Sequence, residues 1–78
     1  MVGADRELDI TGEVCPMTFV RVKLELERMG AGQSLRILLR GEEPLHNVPR
    51  ALLDHGHEIL SIRPLEDDRH EILVRKIR

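Results

Sequence analysis

The fold is decided by residues 7–16, Glu7-Leu8-Asp9-Ile10-Thr11-Gly12-Glu13-Val14-Cys15-Pro16. Leu8 and Ile10 alternate with charged residues, which predicts a short strand over Glu7–Ile10, and Gly12 then breaks it in a tight turn. Pro16 follows, and proline is favoured at the first position of a helix because its missing N–H would be unpaired there. The stretch therefore predicts a strand, a turn that carries a cysteine, and a helix that begins at Pro16.

The segment after Pro16 has the periodicity of an amphipathic helix. Apolar residues recur at spacings of three and four, a pattern that places them on one helical face, and Gly30 ends the pattern. The stripe consists of Phe19, Val22, Leu26 and Met29, widened by Val20 and Leu24. We expect this stripe, Phe19 included, to pack in the core.

The second half of the chain contains three more strands and one more helix. Ser34–Arg40 is β-rich and apolar, which predicts a buried strand. Residues 41–44 break that strand, and Asn47-Val48-Pro49 offers a capping residue and a first-turn proline, so we expect a short helix from Pro49 to His55 with Gly56 after it. Residues 57–63 and 71–77 have the composition of two strands, which we expect to pair antiparallel.

The order β-α-β-α-β-β predicts an α+β fold, a two-layer sandwich in which two helices cover one face of a four-stranded mixed sheet. The chain has 78 residues, with 12 Lys and Arg against 14 Asp and Glu for a net charge of −2. This length suits one hydrophobic core, so we expect a single domain over residues 1–78.

Composition argues against several functional classes. Phe19 is the one aromatic residue, and together with the acidic balance this makes nucleic acid an unfavourable partner. No apolar run approaches the ~20 residues of a membrane span, and the N-terminus lacks a basic and apolar leader, so we expect no membrane association and a cytoplasmic location. A single cysteine excludes an intramolecular disulfide, and with only His55 and His57 as a close histidine pair we expect neither a metal site nor a cofactor.

Cys15 is the candidate reactive residue. It precedes the predicted helix, whose N-terminus presents unpaired N–H groups and about half a positive charge. Both favour thiolate over thiol, so we expect the pKa of Cys15 to be lowered and its sulfur to be nucleophilic. The alternative is a buried cysteine that packs as a small apolar side chain.

The same residues resemble the TusA (SirA-like) family of sulfur-carrier proteins. The resemblance rests on Leu8-Asp9, Gly12, Cys15-Pro16, the turns at 42–44 and 47–49, Gly56-His57-Glu58 and the closing Ile-Leu-Val-Arg-Lys strand. It extends over almost the whole chain. One departure is Thr18, which stands where the family's Cys-Pro-x-Pro signature has its second proline, and this alters the surface beside Cys15.

The resemblance implies a function for Cys15. It would accept sulfur as a persulfide from a donor protein, of the cysteine desulfurase or rhodanese type, and relay it to an acceptor protein. Pro16 would support the helix N-terminus, and the carrier would be a monomer when free. Candidate partner contacts are Glu13, Met17, Thr18, Glu42 and Glu43.

Other interpretations of the same residues stay open. The protein could be a non-catalytic regulatory module, or an RNA- or protein-interaction module with an incidental Cys15, since the fold also resembles the C-terminal domain of translation initiation factor three. Glu42 and Glu43 are better explained as a solvated turn than as paired catalytic acids. We expect His55 to interact with terminal helix carbonyls. Strand-end charge or docking to an acidic surface would explain the basic residues Arg75, Lys76 and Arg78.

Overall fold

A computed structural model describes residues 5–12 and 17–77 of the chain. Four strands and two helices follow in the predicted order, and the α+β class is confirmed. The elements are β1 (Arg6–Asp9), α1 (Met17–Glu27), β2 (Ser34–Arg40), α2 (Glu42–Asp54), β3 (Glu58–Pro64) and β4 (Arg69–Arg75).

The sheet has the strand order β1-β2-β4-β3, which the sequence pattern did not predict. β1 pairs parallel with β2, while β4 pairs antiparallel with both β2 and β3. Because parallel strands end at the same sheet edge, the residues after β1 and those after β2 lie at one edge. That edge carries the start of α2 and the segment that leads to Cys15.

One face of the sheet is apolar and packs against the helices. Leu35, Ile37 and Leu39 alternate along β2 and are fully buried, as predicted. Their cross-strand neighbours on β4 include Ile72 and Val74. The remaining core side chains come from β1 and its end, from α1 and from α2: Leu8, Ile10, Val22, Leu26, Met29, Val48 and Leu52.

Helix α1 differs from its prediction in two respects. Val20 and Leu24 do not widen the buried stripe, since they are 44% and 50% exposed. Successive helical residues are about 100° apart, so a residue two positions from buried Val22 or Leu26 lies on nearly the opposite side. The helix also ends at Glu27, and Met29 is buried from the turn that follows it.

The prediction that the second helix starts at Pro49 is wrong. α2 begins at Glu42, with Gly41 as its N-cap at a φ of 94°, and Pro49 lies inside it. Pro44 occupies the first turn, where a missing N–H costs nothing, and Glu42 and Glu43 are favourable beside the positive N-terminus of the helix. Asn47 is therefore an interior helical residue and not a cap.

The predicted hairpin of β3 and β4 is confirmed, with a tighter turn than expected. Arg69 N donates to Glu66 O at 3.2 Å, and the two residues between them, Asp67 and Asp68, both have a φ of 59°. Positive φ at both central positions is the geometry of a type I′ turn. Because that turn is so short, β4 begins at Arg69, two residues before its predicted start.

Candidate functional site

The strand-to-helix junction holds the predicted reactive residue. β1 ends at Asp9, and buried Ile10 extends the pairing by donating from its N to Leu38 O at 2.8 Å. The chain then turns at Thr11 and Gly12, and α1 starts at Met17. Glu13, Cys15 and Pro16 lie outside the described residues, as do the side chains of Met17 and Thr18.

A local hydrogen-bonded turn leads into this junction. Thr11 donates twice to Asp9 Oδ1, from its backbone N at 2.9 Å and from its Oγ1 at 2.7 Å. These two bonds, aided by the charge of Arg69, hold the pKa of Asp9 below its ordinary value. Asp9 and Thr11 were not predicted as site residues, although an Asp two residues before a Thr is a known signal for such a turn.

The sheet topology brings two further predicted residues to the same edge. Glu42 and Glu43 follow β2 after a single residue, Gly41, and are exposed in the first turn of α2. The start of α2 is also fastened to the β3–β4 turn, because Gly41 N donates to Asp68 O at 3.1 Å. Exposure of both carboxylates agrees with the solvated-turn interpretation, and they lie at the edge that receives the chain after β1.

A pocket of about 220 Å³ lies between the helices and the ends of β3 and β4. Phe19 is partly buried and packs against the core, and its ring centroid lies 5.1 Å from that of His55. His55 Nδ1 lies 2.9 Å from Ala51 O, which confirms the predicted interaction with a terminal helix carbonyl. His57 Nδ1 accepts from Ile77 N at 3.3 Å. The contacts that His55 and His57 make in the pocket are thus structural.

The comparisons with known proteins bear on this junction. The sequence profile of the family described as Sulfurtransferase TusA matches residues 6–76. The chain belongs to the TusA family. It is 41% identical over 75 residues to a proposed sulfur carrier protein of Archaeoglobus fulgidus, covering 96% of this chain and 85% of that protein. A proposed sulfur carrier protein of Methanocaldococcus jannaschii is 29% identical over 76 residues, covering 97% and 100%.

Solved structures share the fold of this TusA-family chain. The crystal structure of a SirA-like protein from Desulfitobacterium hafniense superposes with a TM-score of 0.81 at 20% identity, covering 94% of this chain and 99% of that one. A solution structure of a Helicobacter pylori protein gives a TM-score of 0.76 at 17% identity, covering 92% and 97%. At these identities the likeness establishes the two-layer fold.

One structural contact of this TusA-family chain was missed by the sequence analysis. Lys76 was assigned to a solvated basic cluster, yet its Nζ donates to Leu26 O and Met29 O at the end of α1. Arg75 pairs with Glu58 across the β3–β4 hairpin, and Arg78 lies outside the described residues. A lysine 50 positions away in sequence from its acceptor carries no local signal.

Within residues 5–12 and 17–77, no group of three or more His, Cys, Asp or Glu side chains is arranged to hold a metal ion. Neither of the two helices there has the length and apolar character that crossing a membrane requires.

Proposed function

We propose that this TusA-family protein carries sulfur as a persulfide on Cys15. Family membership supports a sulfurtransferase-type role, and Cys15 is the single cysteine of the chain. In sequence Cys15 precedes Met17, the first described residue of α1, by two residues, and two residues of chain span at most about 7 Å. We therefore expect the sulfur atom to lie near the positive N-terminus of α1, which would favour the thiolate.

The transfer requires no external oxidant. The Cys15 thiolate attacks the outer sulfur of the donor's persulfide, a new S–S bond forms on Cys15, and the donor's own S–S bond breaks to release the donor thiolate. In the second step a thiolate of the acceptor attacks the outer sulfur of the Cys15 persulfide. The S–S bond on Cys15 breaks, and the Cys15 sulfur leaves as a thiolate. Oxidation state and sulfur are both conserved at each exchange.

The partners proposed for these steps are proteins: a donor of the cysteine desulfurase or rhodanese type and a separate acceptor. Glu42 and Glu43 are suited to contact them because both are exposed at the sheet edge that receives the chain after β1. Pro16 supports the start of α1, and Glu13, Met17 and Thr18 complete the proposed contact set. We further propose that residues 1–78 act as one cytoplasmic carrier domain.

The test is intact-mass measurement after incubation with a cysteine desulfurase and free cysteine. We expect the protein to gain the mass of one sulfur atom, a reductant to remove it, and the Cys15→Ser variant to remain unloaded under the same conditions. An accessible Cys15 thiol that gains no sulfur from several desulfurase and rhodanese donors would contradict the proposal. Retention of every cellular activity by Cys15→Ser would favour the interaction-module interpretation.

A further inference from the structure

In the described part of the chain, β3 is an edge strand of the sheet. It pairs with β4 on one side and lies last in the order β1-β2-β4-β3. Leu60 and Ile62 on this strand are 43% and 45% exposed, and Leu53, on the helix that packs against β3, is 58% exposed. Edge strands with exposed apolar side chains are templates for pairing with another strand.

The backbone groups that β3 offers to another strand follow from its register. Leu65 N donates to Arg69 O at 2.8 Å, so Leu65 directs its backbone towards β4. In an antiparallel pair alternate residues direct their backbone groups to opposite sides, which places those of Ile62 and Pro64 on the outside. The register shift between Ile59 and Ser61 gives Ile59 the same orientation as Ile62. Pro64 fits this arrangement because proline is tolerated where its missing N–H faces outward.

We propose that β3 pairs antiparallel with β3 of a second copy of this chain, about a two-fold axis between Leu60 and Ser61. In this register Ile59 lies opposite the partner's Ile62, and both are outward-directed residues on the helix-covered face. On the other face Glu58 lies opposite the partner's Arg63. The two-fold axis repeats each pair, so one strand supplies both halves of an isologous contact.

The charges on the open face of the sheet support a second copy as the occupant. On β4, Glu58 pairs with Arg75 and Arg63 pairs with Glu71. Arg75 and Glu71 are separated by an even number of positions, so their side chains lie on one face of the sheet, and those of Glu58 and Arg63 lie on the same face. In the described part of the chain, the Arg63 side chain has no hydrogen bond or ion pair, whereas the Arg75 side chain already pairs with Glu58. A partner's Arg63 would extend that pair into a three-membered network, and opposite charges across a strand pair are stabilising.

The geometry also limits the strength of the contact. The bulge near the two-fold axis and the proline at each end leave a short ladder, which is typical of a weak, concentration-dependent dimer with a small interface. The β1 edge is the opposite edge of the sheet, so dimerisation through β3 leaves the two β1 strands, each followed in sequence by the segment that leads to Cys15, at the outer edges of an eight-stranded sheet. Self-association and sulfur loading are therefore separable.

Sedimentation of the full chain over a wide concentration range tests this dimer. We expect the wild type to self-associate. Arg63→Glu and Glu58→Arg should each raise the dissociation constant of the dimer about tenfold or more, because each places like charges opposite one another at both symmetry-related positions. A mixture of the two variants restores both ion pairs, and we expect it to regain association. Each variant is first shown to be folded by circular dichroism.

A matched pair of variants tests the apolar part of the contact. Ile62→Lys should abolish the dimer, while Val20→Lys, a β-branched residue of nearly equal exposure on α1, should leave it unchanged. Only monomers at every concentration, as the sequence favoured, would overturn the proposal. So would a dimer that Arg63→Glu and Ile62→Lys do not weaken. Persulfide loading of Arg63→Glu should equal that of the wild type, so neither result depends on the sulfur-carrier proposal.

Discussion

Lys76 Nζ lies 2.6 Å from the carbonyl oxygen of Leu26 and 2.7 Å from that of Met29. The residue after β4 is thereby joined to the C-terminal end of α1, where unpaired carbonyls carry the negative end of the helix dipole. In sequence, the N-terminus of the same helix follows Cys15, the residue proposed to carry sulfur. Lys76, a cation at the C-terminal end of α1, thus helps to fix the position of this helix.

We expect Lys76→Met to lower the free energy of unfolding by about 1–3 kcal/mol, because two partly buried carbonyls lose a charged donor. The matched control is Lys23→Met, which changes an exposed lysine on α1 and should alter stability by less than about 0.5 kcal/mol. Urea denaturation monitored by circular dichroism measures both values. Equal stability of the two variants would show that the Lys76 contacts contribute nothing.

Local sequence patterns predicted those elements whose signals are local. Ser34–Arg40 matched its strand residue for residue, since alternation and β propensity act over a few positions. The start of α2 was misplaced because Pro44 and Pro49 are both plausible first-turn residues by sequence. Only tertiary packing, which buries Val48 and Leu52 on one helical face, decides between them.

The candidate site was predictable in part for the same reason. Local signals between Glu7 and Pro16 predicted the strand before Cys15 and the helix after it, whereas the family resemblance rests on motifs along almost the whole chain. By contrast, the end of β1 and the start of α2 lie at the same side of the sheet only because β1 pairs parallel with β2. The Lys76 contacts likewise join segments that are distant in sequence. Non-local pairings carry no periodic signal in the chain.

Pro49 offers a test of the corrected helix boundary. It lies inside α2 and cannot donate the hydrogen bond that an interior residue gives to the carbonyl four residues earlier, that of Leu45. We expect Pro49→Ala to stabilise the protein by about 1–3 kcal/mol, measured by thermal and urea unfolding. Pro44→Ala is the control, and its effect should be small because Pro44 lies in the first turn. A destabilising Pro49→Ala would mean that ring packing outweighs the missing bond.

The β3–β4 turn offers a second stabilising substitution. Asp67 and Asp68 both occupy the left-handed region, at a φ of 59°, which costs a residue with a Cβ roughly 1–2 kcal/mol. Asp68→Gly should raise the free energy of unfolding by about 1 kcal/mol, because glycine is favoured at the second central position of a type I′ turn. Glu66→Gly, in the same turn but without a positive φ, should give no gain. An unchanged melting temperature for Asp68→Gly would contradict the assigned turn.

The Asp9–Thr11 turn predicts a pH dependence of stability. The Thr11 bonds lower the pKa of Asp9 below 3.8 in the folded state, so the folded protein holds this proton less tightly than the unfolded chain. The stabilisation is therefore present above pH 3.8 and is lost as the pH falls through the folded pKa. We expect Thr11→Val, which removes the Oγ1 donor, to raise the pKa of Asp9 towards 3.8 in a carboxyl NMR titration.

Asp9→Asn provides the thermodynamic counterpart of that titration. At neutral pH the variant should be less stable than the wild type, because an amide oxygen is a weaker acceptor than a carboxylate for the two Thr11 donors. The difference should shrink as the wild-type carboxyl becomes protonated below its folded pKa. Urea unfolding at a series of pH values measures it. A difference that stays constant with pH, together with an unchanged Asp9 pKa in Thr11→Val, would show that these hydrogen bonds are not linked to the charge of Asp9.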